Sequence, residues 1–322
     1  MAMAPFLTLR IRPWGFLAAS GFLAGLATVA GFLGQYAWWL DLASHFRVQY
    51  FLFFVVLAIC CAIGRKPRMT LAAVALAAVN AAPVCAFLFP RVPFAADGTH
   101  GAPIRAVLIN VNTQQGNPER VMEMVRRVQP DILALEEIDD AWVKSLDPVF
   151  QQYHYKKIET RDDNFGIGLL SKIPFVSANV ESIGKAGVPS IVAELAVDGK
   201  NVTLITTHPP PPRGAEYSAN RNDQLEQLAA RAAKIHGPAI LLGDLNVTPW
   251  SYHYREMIRV SRLTDSAAGR TITATWPTFL HSFGIPLDHC FHSSEVVITS
   301  RQVGGHDGSD HYPLIVSFAL KK

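Results

Sequence analysis

Apolar residues are distributed so unevenly along this chain that it cannot fold as one soluble domain. Residues 13–90 contain three long apolar runs, Trp14–Gly34, Val48–Gly64 and Thr70–Pro90, with almost no charge inside them. A run of about 20 apolar residues is long enough to cross the hydrocarbon core of a bilayer. The first and third runs reach that length, and the second, VQYFLFFVVLAICCAIG, sits at the short limit. Asn80 and Pro83 interrupt the third run, and membrane helices tolerate both. Beyond residue 100 the composition becomes that of an ordinary soluble domain. The expected organisation is an anchor over residues 1–92, a linker over 93–102 and a folded domain over 103–322.

Charge divides at the same place. The net charge of +3 hides seven Lys/Arg against Asp41 alone before residue 96, and 22 Lys/Arg against 25 Asp/Glu after it. The basic excess therefore flanks apolar runs and is not the field of a nucleic-acid-binding surface. Arg10 and Arg12 precede the first run, and GRKPRM (64–69) separates the second from the third. Both clusters belong on the cytoplasmic side of a membrane. Three crossings then place the folded domain outside, on the periplasmic face of a bacterial inner membrane. A cleaved leader is the alternative for the first run alone, and two further apolar runs argue against it. Of the four cysteines only Cys290 lies in the soluble part, which excludes an intradomain disulfide or a zinc cluster there.

The folded domain reads as α/β. IRAVLINV (104–111), DILAL (131–135), 166–170, 190–197, 202–206, 239–242 and 314–318 are strand-like, while 118–128 and 220–235 have helical spacing. Neighbouring strands at 190–206 suggest a hairpin, no internal repeat is visible, and no glycine-rich phosphate loop is present. A layered sandwich with mixed sheets fits this pattern better than a doubly wound nucleotide-binding fold.

Polar residues recur where the buried strands end. Asn110 and Asn112 share a face at the end of LINVN, and Glu137 closes DILALEEI. A carboxylate directly after a buried strand must be solvated, paired or bound to metal. His208 opens THPPPP, whose proline run stiffens the chain behind it. Asp244 and Asn246 follow AILL in GDLN, Asp288 lies in LDH, and Asp310 and His311 stand in GSDH before the last strand. Strand ends are where a layered fold gathers distant groups into one cleft.

Taken in this order, Asn, Glu, His, Asp-x-Asn, Asp and Asp-His resemble the endonuclease/exonuclease/phosphatase superfamily over residues 104–320. That group includes deoxyribonucleases of the pancreatic type, apurinic-site exonucleases, sphingomyelinases and inositol-polyphosphate phosphatases. THPPPP, NRNDQL, NVTPWS (246–251) and TWP (275–277) further resemble a bacterial membrane-tethered branch. The resemblance implies a four-layer sandwich of two mixed β-sheets flanked by helices, preceded here by about three transmembrane helices. It implies Mg²⁺, with Mn²⁺ as an alternative, held by Glu137 with Asn110 and Asp310. Asn110, Asn112, His208 and Asn246 would contact the phosphate, with either Asn110 or Asn112 as the asparagine of the metal site. Asp244 would orient the nucleophile beside Asn246, Asp288 would orient His311, and His311 would act as general base. Glu136 stands where the family often has glutamine. Arg161 is a candidate for a family Arg/Tyr position, and Trp250 and Trp276 either shape the cleft or pack in the core.

The chemistry is coherent with that set. A phosphodiester anion repels hydroxide, so its charge must be neutralised before attack, and a hard cation on carboxylate oxygen does this. A His base without a Ser or Cys nucleophile implies direct attack by water. The expected activity is metal-dependent phosphodiester hydrolysis on a nucleic acid, a nucleotide or a phospholipid head group. The bilayer is the second expected partner, and no protein partner is deducible. A non-catalytic, membrane-tethered binding or sensor module is the rival reading, since fold does not fix function. A transport role finds no support in spans that hold no charged residue, with Asn80 in the third.

Overall fold

The apolar runs form helices, and the polar remainder forms a separate compact unit. A computed structural model describes residues 13–89, 101–270 and 272–322. The two units comprise Met1–Ala86 and Phe87–Lys322. Arg10, Arg12, Arg91 and most of the 93–102 linker lie outside the described residues.

In the first unit, α1 (Pro13–Ala30) runs into a short 3-10 turn at Gly31–Leu33 and is followed by α2 (Trp38–Ser44), α3 (Arg47–Ile63) and α4 (Pro67–Leu88). Two helices, Pro13–Leu33 and Pro67–Leu88, are each long and apolar enough to cross a membrane. The expected middle span is less simple, because α2 and α3 qualify only as a pair bent by 59°. Arg47, which stands just before the second apolar run, is not a solvated loop charge. Arg47 and Asp41 are both buried, each 1% exposed. The Arg47 guanidinium donates to the Thr28 carbonyl at 2.8 Å and to Asn80 Oδ1 at 3.2 Å, and it lies 3.9 Å from the Phe32 ring centroid. Asn80 returns a hydrogen bond to Thr28 Oγ1 at 3.0 Å. These bonds tie α1, α3 and α4 together, because a buried charge is tolerable only where polar partners compensate for the lost water.

The second unit contains β1 (Ile104–Asn110), α5 (Pro118–Val128), β2 (Ile132–Glu136), α6 (Asp140–Ser145), α7 (Asp147–Phe150), β3 (Tyr155–Glu159), β4 (Ile167–Ser171), β5 (Phe175–Ser182), β6 (Pro189–Val197) and β7 (Lys200–Thr207). It continues with α8 (Ala215–Ala232), β8 (Ala239–Asp244), α9 (Tyr252–Ser261), β9 (Thr264–Asp265), β10 (Asp288–His292), β11 (Val296–Val303) and β12 (Leu314–Leu320). One sheet has the order β11-β12-β1-β2-β4-β3 and the other β5-β6-β7-β8-β10-β9. Each has a single parallel pair, β1 with β2 and β7 with β8, joined by a crossover that carries a helix. The two halves thus repeat a topology that no sequence repeat announces.

Strand periodicity builds the four layers. Side chains alternate between sheet faces, so a strand covered on both faces is apolar throughout. In β1, Ala106 and Leu108 face the core between the sheets, with Leu204, Leu242 and Phe318. Val107 and Ile109 face outward onto Val121, Met124 and Val125 of α5. In the other half, Ile205 and Leu241 meet Leu225 and Leu228 of α8 and Met257 of α9. Helix α5 is capped as its sequence requires: Asn117 Oδ1 accepts from Arg120 N at 3.0 Å, Pro118 takes the first turn, and Gln129 ends it with φ 49°. Helix α8 begins earlier than the spacing predicts, because Gly214 at φ 98° turns the chain and the AEYSA segment then propagates helix.

Candidate active site

Both parallel pairs end at one place, and this position carries the chemistry. Asn110 ends β1, Glu137 follows β2, His208 follows β7 and Asp244 ends β8. In open sheets the carboxyl ends of parallel strands are the usual ligand crevice. Here two such edges face each other across the sandwich. Antiparallel pairing adds the remainder: Asp288 at the start of β10 lies in register with Asp244, and His311 precedes β12, the neighbour of β1.

The contacts form one continuous cluster. Asn110 Nδ2 donates to Glu137 Oε1 at 2.9 Å and lies 3.3 Å from Asp244 Oδ2. Its Oδ1 accepts the Asn112 N–H, while Asn112 Nδ2 donates to Asp310 Oδ1 at 2.7 Å. The two asparagines therefore divide the work, Asn110 holding Glu137 and Asn112 holding Asp310. Asp310 Oδ2 accepts from Trp276 Nε1 at 2.9 Å, so the tryptophan of TWP is tied to the site. Asp244 Oδ2 lies 3.5 Å from His208 Nε2 and 3.5 Å from His311 Nε2. His311 Nδ1 meets Asp288 Oδ2 at 2.9 Å. Asn246 Nδ2 donates to the Pro209 carbonyl at 3.0 Å and stands 3.2 Å from His208 Nε2. The turns that present these groups are strained. Asn112, Glu137 and Asn246 have φ of 51°, 61° and 51°. Asparagine tolerates that region, but glutamate seldom enters it, and such backbone persists where surrounding structure enforces it.

Burial and charge set the protonation states. Glu136 is fully buried, and burial, then Asp244 and Asp288, push its carboxyl well above the usual range. Its Oε2 accepts the Asp244 N–H at 3.1 Å. A neutral Glu136 has the shape of the glutamine that the family often places there. Burial works against the Asp244 carboxylate, yet His311 and His208 outweigh it and bring its pKa down to about 2. Burial likewise opposes protonation of His311, and Asp288 and Asp244 override it, raising its pKa to about 10. His208 is raised in the same way, with Asp244 and Glu137 outweighing burial.

Five carboxyl groups, on Glu136, Glu137, Asp244, Asp288 and Asp310, thus meet two imidazoles. Even with Glu136 neutral the negative charge is in excess, which suits a divalent cation. Two donor sets are available. Glu137 and Asp310 offer hard oxygen donors that each keep lone pairs free beyond their amide and indole partners. Asp244, Asp288 and His311 also bring one ligand atom each within 4.8 Å of one another. The first set fits better, because His311 Nδ1 and Asp288 are already bonded to each other.

Some expected residues stand elsewhere. Arg161 pairs with Asp163 on the surface. Its neighbour Asn164, which the sequence reading missed, donates to Glu137 Oε2 at 3.1 Å, and Phe165 packs against the His208 ring. The only signal for Asn164 was an N-F-G turn, which the structure realises at φ 66°. His289, next to Asp288 in sequence, is a packing residue: it is buried, with Nδ1 on Asp265 and Nε2 on the Val247 carbonyl, both at 2.9 Å, and it steadies the loop after Asn246. Trp250 is a core aromatic, 3% exposed.

Gly243 explains the first letter of GDLN. A Cβ there would stand 2.0 Å from the Thr207 carbonyl oxygen, on the strand that delivers His208. Gly243→Ala should therefore spread β7 from β8, costing about 2–3 kcal/mol. We expect a lower melting temperature and at least an order-of-magnitude loss of turnover, read by calorimetry and initial rates. Asp307 offers a pH test. Burial raises its carboxyl from 3.8 to about 6, and its Oδ2 has no partner. A raised folded-state pKa means stability that is full below the unfolded value and lost as pH rises through the folded one. Asp307→Asn should match the parent at pH 4 and be more stable at pH 8 by about 2 kcal/mol in urea titrations.

Comparison with known proteins agrees with this architecture. The profile of the Endonuclease/Exonuclease/phosphatase family matches residues 107–311. A UPF0294 protein of Vibrio vulnificus strain YJ016 is 31% identical over 105 residues, 33% of this chain and 34% of that protein. The match thus spans about a third of that relative's length. D. rerio TDP2 complexed with single strand DNA product aligns at TM-score 0.58 and 16% identity, over 68% of this chain and 99% of that one. Sphingomyelinase C from Streptomyces griseocarneus aligns at TM-score 0.51 and 18% identity, over 67% and 99%. At such identities the structural likeness establishes the fold, and the family profile establishes descent. The chain belongs to the endonuclease/exonuclease/phosphatase family.

Proposed function

We propose that residues 103–322 form a catalytic domain that hydrolyses phosphodiesters by direct attack of water on phosphorus. The observation that carries this reading is the His311–Asp288 pair at 2.9 Å, set beside Asp244, His208 and Asn110 at the joined ends of two sheets. Glu137 and Asp310 would hold a divalent cation, Mg²⁺ or Mn²⁺. When bound, that ion neutralises a phosphoryl oxygen and favours hydroxide over water.

The chain's own groups divide the remaining work. Asp288 fixes the His311 ring through Nδ1 and leaves Nε2 facing the cluster. Asp244, held to about 2, is too weak a base to keep a proton from water, so it orients the nucleophile. His311 accepts that proton in the fraction of molecules in which its ring is neutral, a fraction that grows as pH rises, because Asp288 and Asp244 hold the ring protonated at lower pH. His208 and Asn246 donate hydrogen bonds to the phosphoryl oxygens as charge grows on them. The intact constellation speaks against a purely binding or sensing module. TDP2 was captured with a DNA product, and a sphingomyelinase shares the fold, so both nucleic acid and lipid head groups lie within the range of this architecture. Residues 1–92 would tether the domain to a bacterial inner membrane, with the domain on the outer face if the bent α2–α3 pair crosses.

The full chain in detergent, assayed on bis-p-nitrophenyl phosphate, tests this. Turnover with Mg²⁺ or Mn²⁺ and none in EDTA is expected. A folded chain inert on this diester, on plasmid DNA and on a phospholipid panel would return the binding-module reading.

A further inference from the structure

The catalytic unit exposes few large apolar side chains, and they are concentrated. Among its described residues beyond position 100 they are Val176, Tyr217, Val260, Phe279, Leu280 and Phe283. Half of these fall within one 3-10 segment, Thr278–Phe283, where Phe279 is 75% exposed and Phe283 66%. The first residue of that segment is bonded to the chain that carries the site. Thr278 N donates to the Asp310 carbonyl at 2.9 Å, Thr278 Oγ1 to the Ser309 carbonyl at 3.1 Å, and Tyr312 OH to the Thr278 carbonyl at 3.1 Å. Its base is thus tied to the residues that carry Asp310 and His311, while its tip is apolar and in solvent. His281 adopts φ 48° and ψ −124° there, an unusual backbone for a side chain to accept without function.

The geometry points to Phe279, Leu280 and Phe283 docking on a lipid bilayer surface, which would bring a lipid-borne phosphodiester to the Asp310–His311 side of the site. The docking stands by itself; the substrate class rests on the hydrolase reading above. Charge decides between lipid and nucleic acid. From residue 272 to 287 the sequence has no Asp, Glu, Lys or Arg, and no Lys or Arg lies between Arg270 and Arg301. A nucleic-acid platform needs cations beside its aromatics to neutralise phosphate, and leucine offers no face for stacking a base. An uncharged phenyl-and-leucine tip is what enters the boundary of headgroups and acyl chains without stripping water from a charge. The chain itself supplies the surface, since Pro13–Leu33 and Pro67–Leu88 are each fit to span one. Without basic residues, the loop should be indifferent to anionic lipid.

The test uses the full chain in phosphatidylcholine nanodiscs, with Cys60, Cys61 and Cys85 changed to Ser and Phe279→Cys labelled with NBD. Cys290 stays unlabelled, because burial raises its thiol to about 12. Emission should shift to the blue and be quenched about twofold or more by doxyl-labelled lipid, as expected for a probe at the acyl boundary. Phosphatidylglycerol should not change this, and a label at exposed Val176 on β5 should remain water-like. Water-like emission at position 279 overturns the proposal. So does a shift caused by a dT oligonucleotide in lipid-free detergent, which would make the loop a base-stacking platform. In parallel, Phe279→Ser/Leu280→Ser should keep the parental rate on bis-p-nitrophenyl phosphate while losing about tenfold on phosphatidylcholine vesicles. Equal loss on both substrates would make the loop structural. A parent inert on every diester would sink the hydrolase reading, and the emission data would still decide the docking.

Discussion

His311→Ala is expected to lower kcat on bis-p-nitrophenyl phosphate by about three orders of magnitude, the scale of a lost general base, with KM within about threefold. The argument is geometric before it is electrostatic. His311 is 6% exposed, its Nδ1 is committed to Asp288, and its Nε2 is its one remaining nitrogen for the reaction. Removing the ring leaves Asp244 with a single imidazole neighbour, His208, and takes away the group proposed to accept the proton. Asp288→Asn should cost about two orders of magnitude, because an amide cannot hold the imidazole in one tautomer or stabilise its charge. The pH profile separates a base from a packing residue. Asp288 and Asp244 hold His311 protonated, so the parental rate should climb as pH rises and the ring is discharged. That climb should vanish in His311→Ala and shift to lower pH in Asp288→Asn. A profile unchanged in shape, merely scaled down, would remove His311 from the proton path.

Much of this site was legible in the sequence for one physical reason. A strand buried on both faces must be apolar, so the residue that ends the apolar run is the first that can be polar, and it emerges at the sheet edge. Asn110, Glu137, His208 and Asp244 were all found this way. Strands without that contrast were not. β5, FVSANVES, is half-exposed along its length, and β10, DHCFH, sets Cys290 and Phe291 between two histidines, His289 buried and His292 half-buried, that both bond to protein. Asn164 was invisible because it lies in a loop and acts through a turn. The burial of Arg47 was hidden for the opposite reason: its partners, Thr28 and Asn80, are 19 and 33 residues away, and nothing local announces them.

A pair of variants decides which residues would hold a divalent cation. Glu137→Gln is expected to abolish both turnover, by about three orders of magnitude or more, and the stabilisation of the chain by divalent cations. At a cation concentration of about 100 times Kd, binding adds about 2.7 kcal/mol, or roughly 5–10 °C in melting temperature for a domain of this size. Glu137→Gln should erase that increment, and Asp310→Asn should erase much of it. His311→Ala should leave it intact, because in the Glu137–Asp310 arrangement the imidazole is not a ligand. The competing set, Asp244 with Asp288 and His311, predicts the reverse: His311→Ala would lose the cation-dependent shift and Glu137→Gln would keep it. The structure favours the first outcome because of how the carboxylates are already engaged. Asp288 and His311 satisfy each other within the protein at 2.9 Å, and a cation there would compete with the imidazole for the Asp288 carboxylate. Glu137 is instead held open, with one amide on each oxygen and φ in a region that only the surrounding fold can enforce. Backbone strain that orients a partly exposed carboxylate into a negatively charged cleft has no use in an empty site, and a bound cation gives it one.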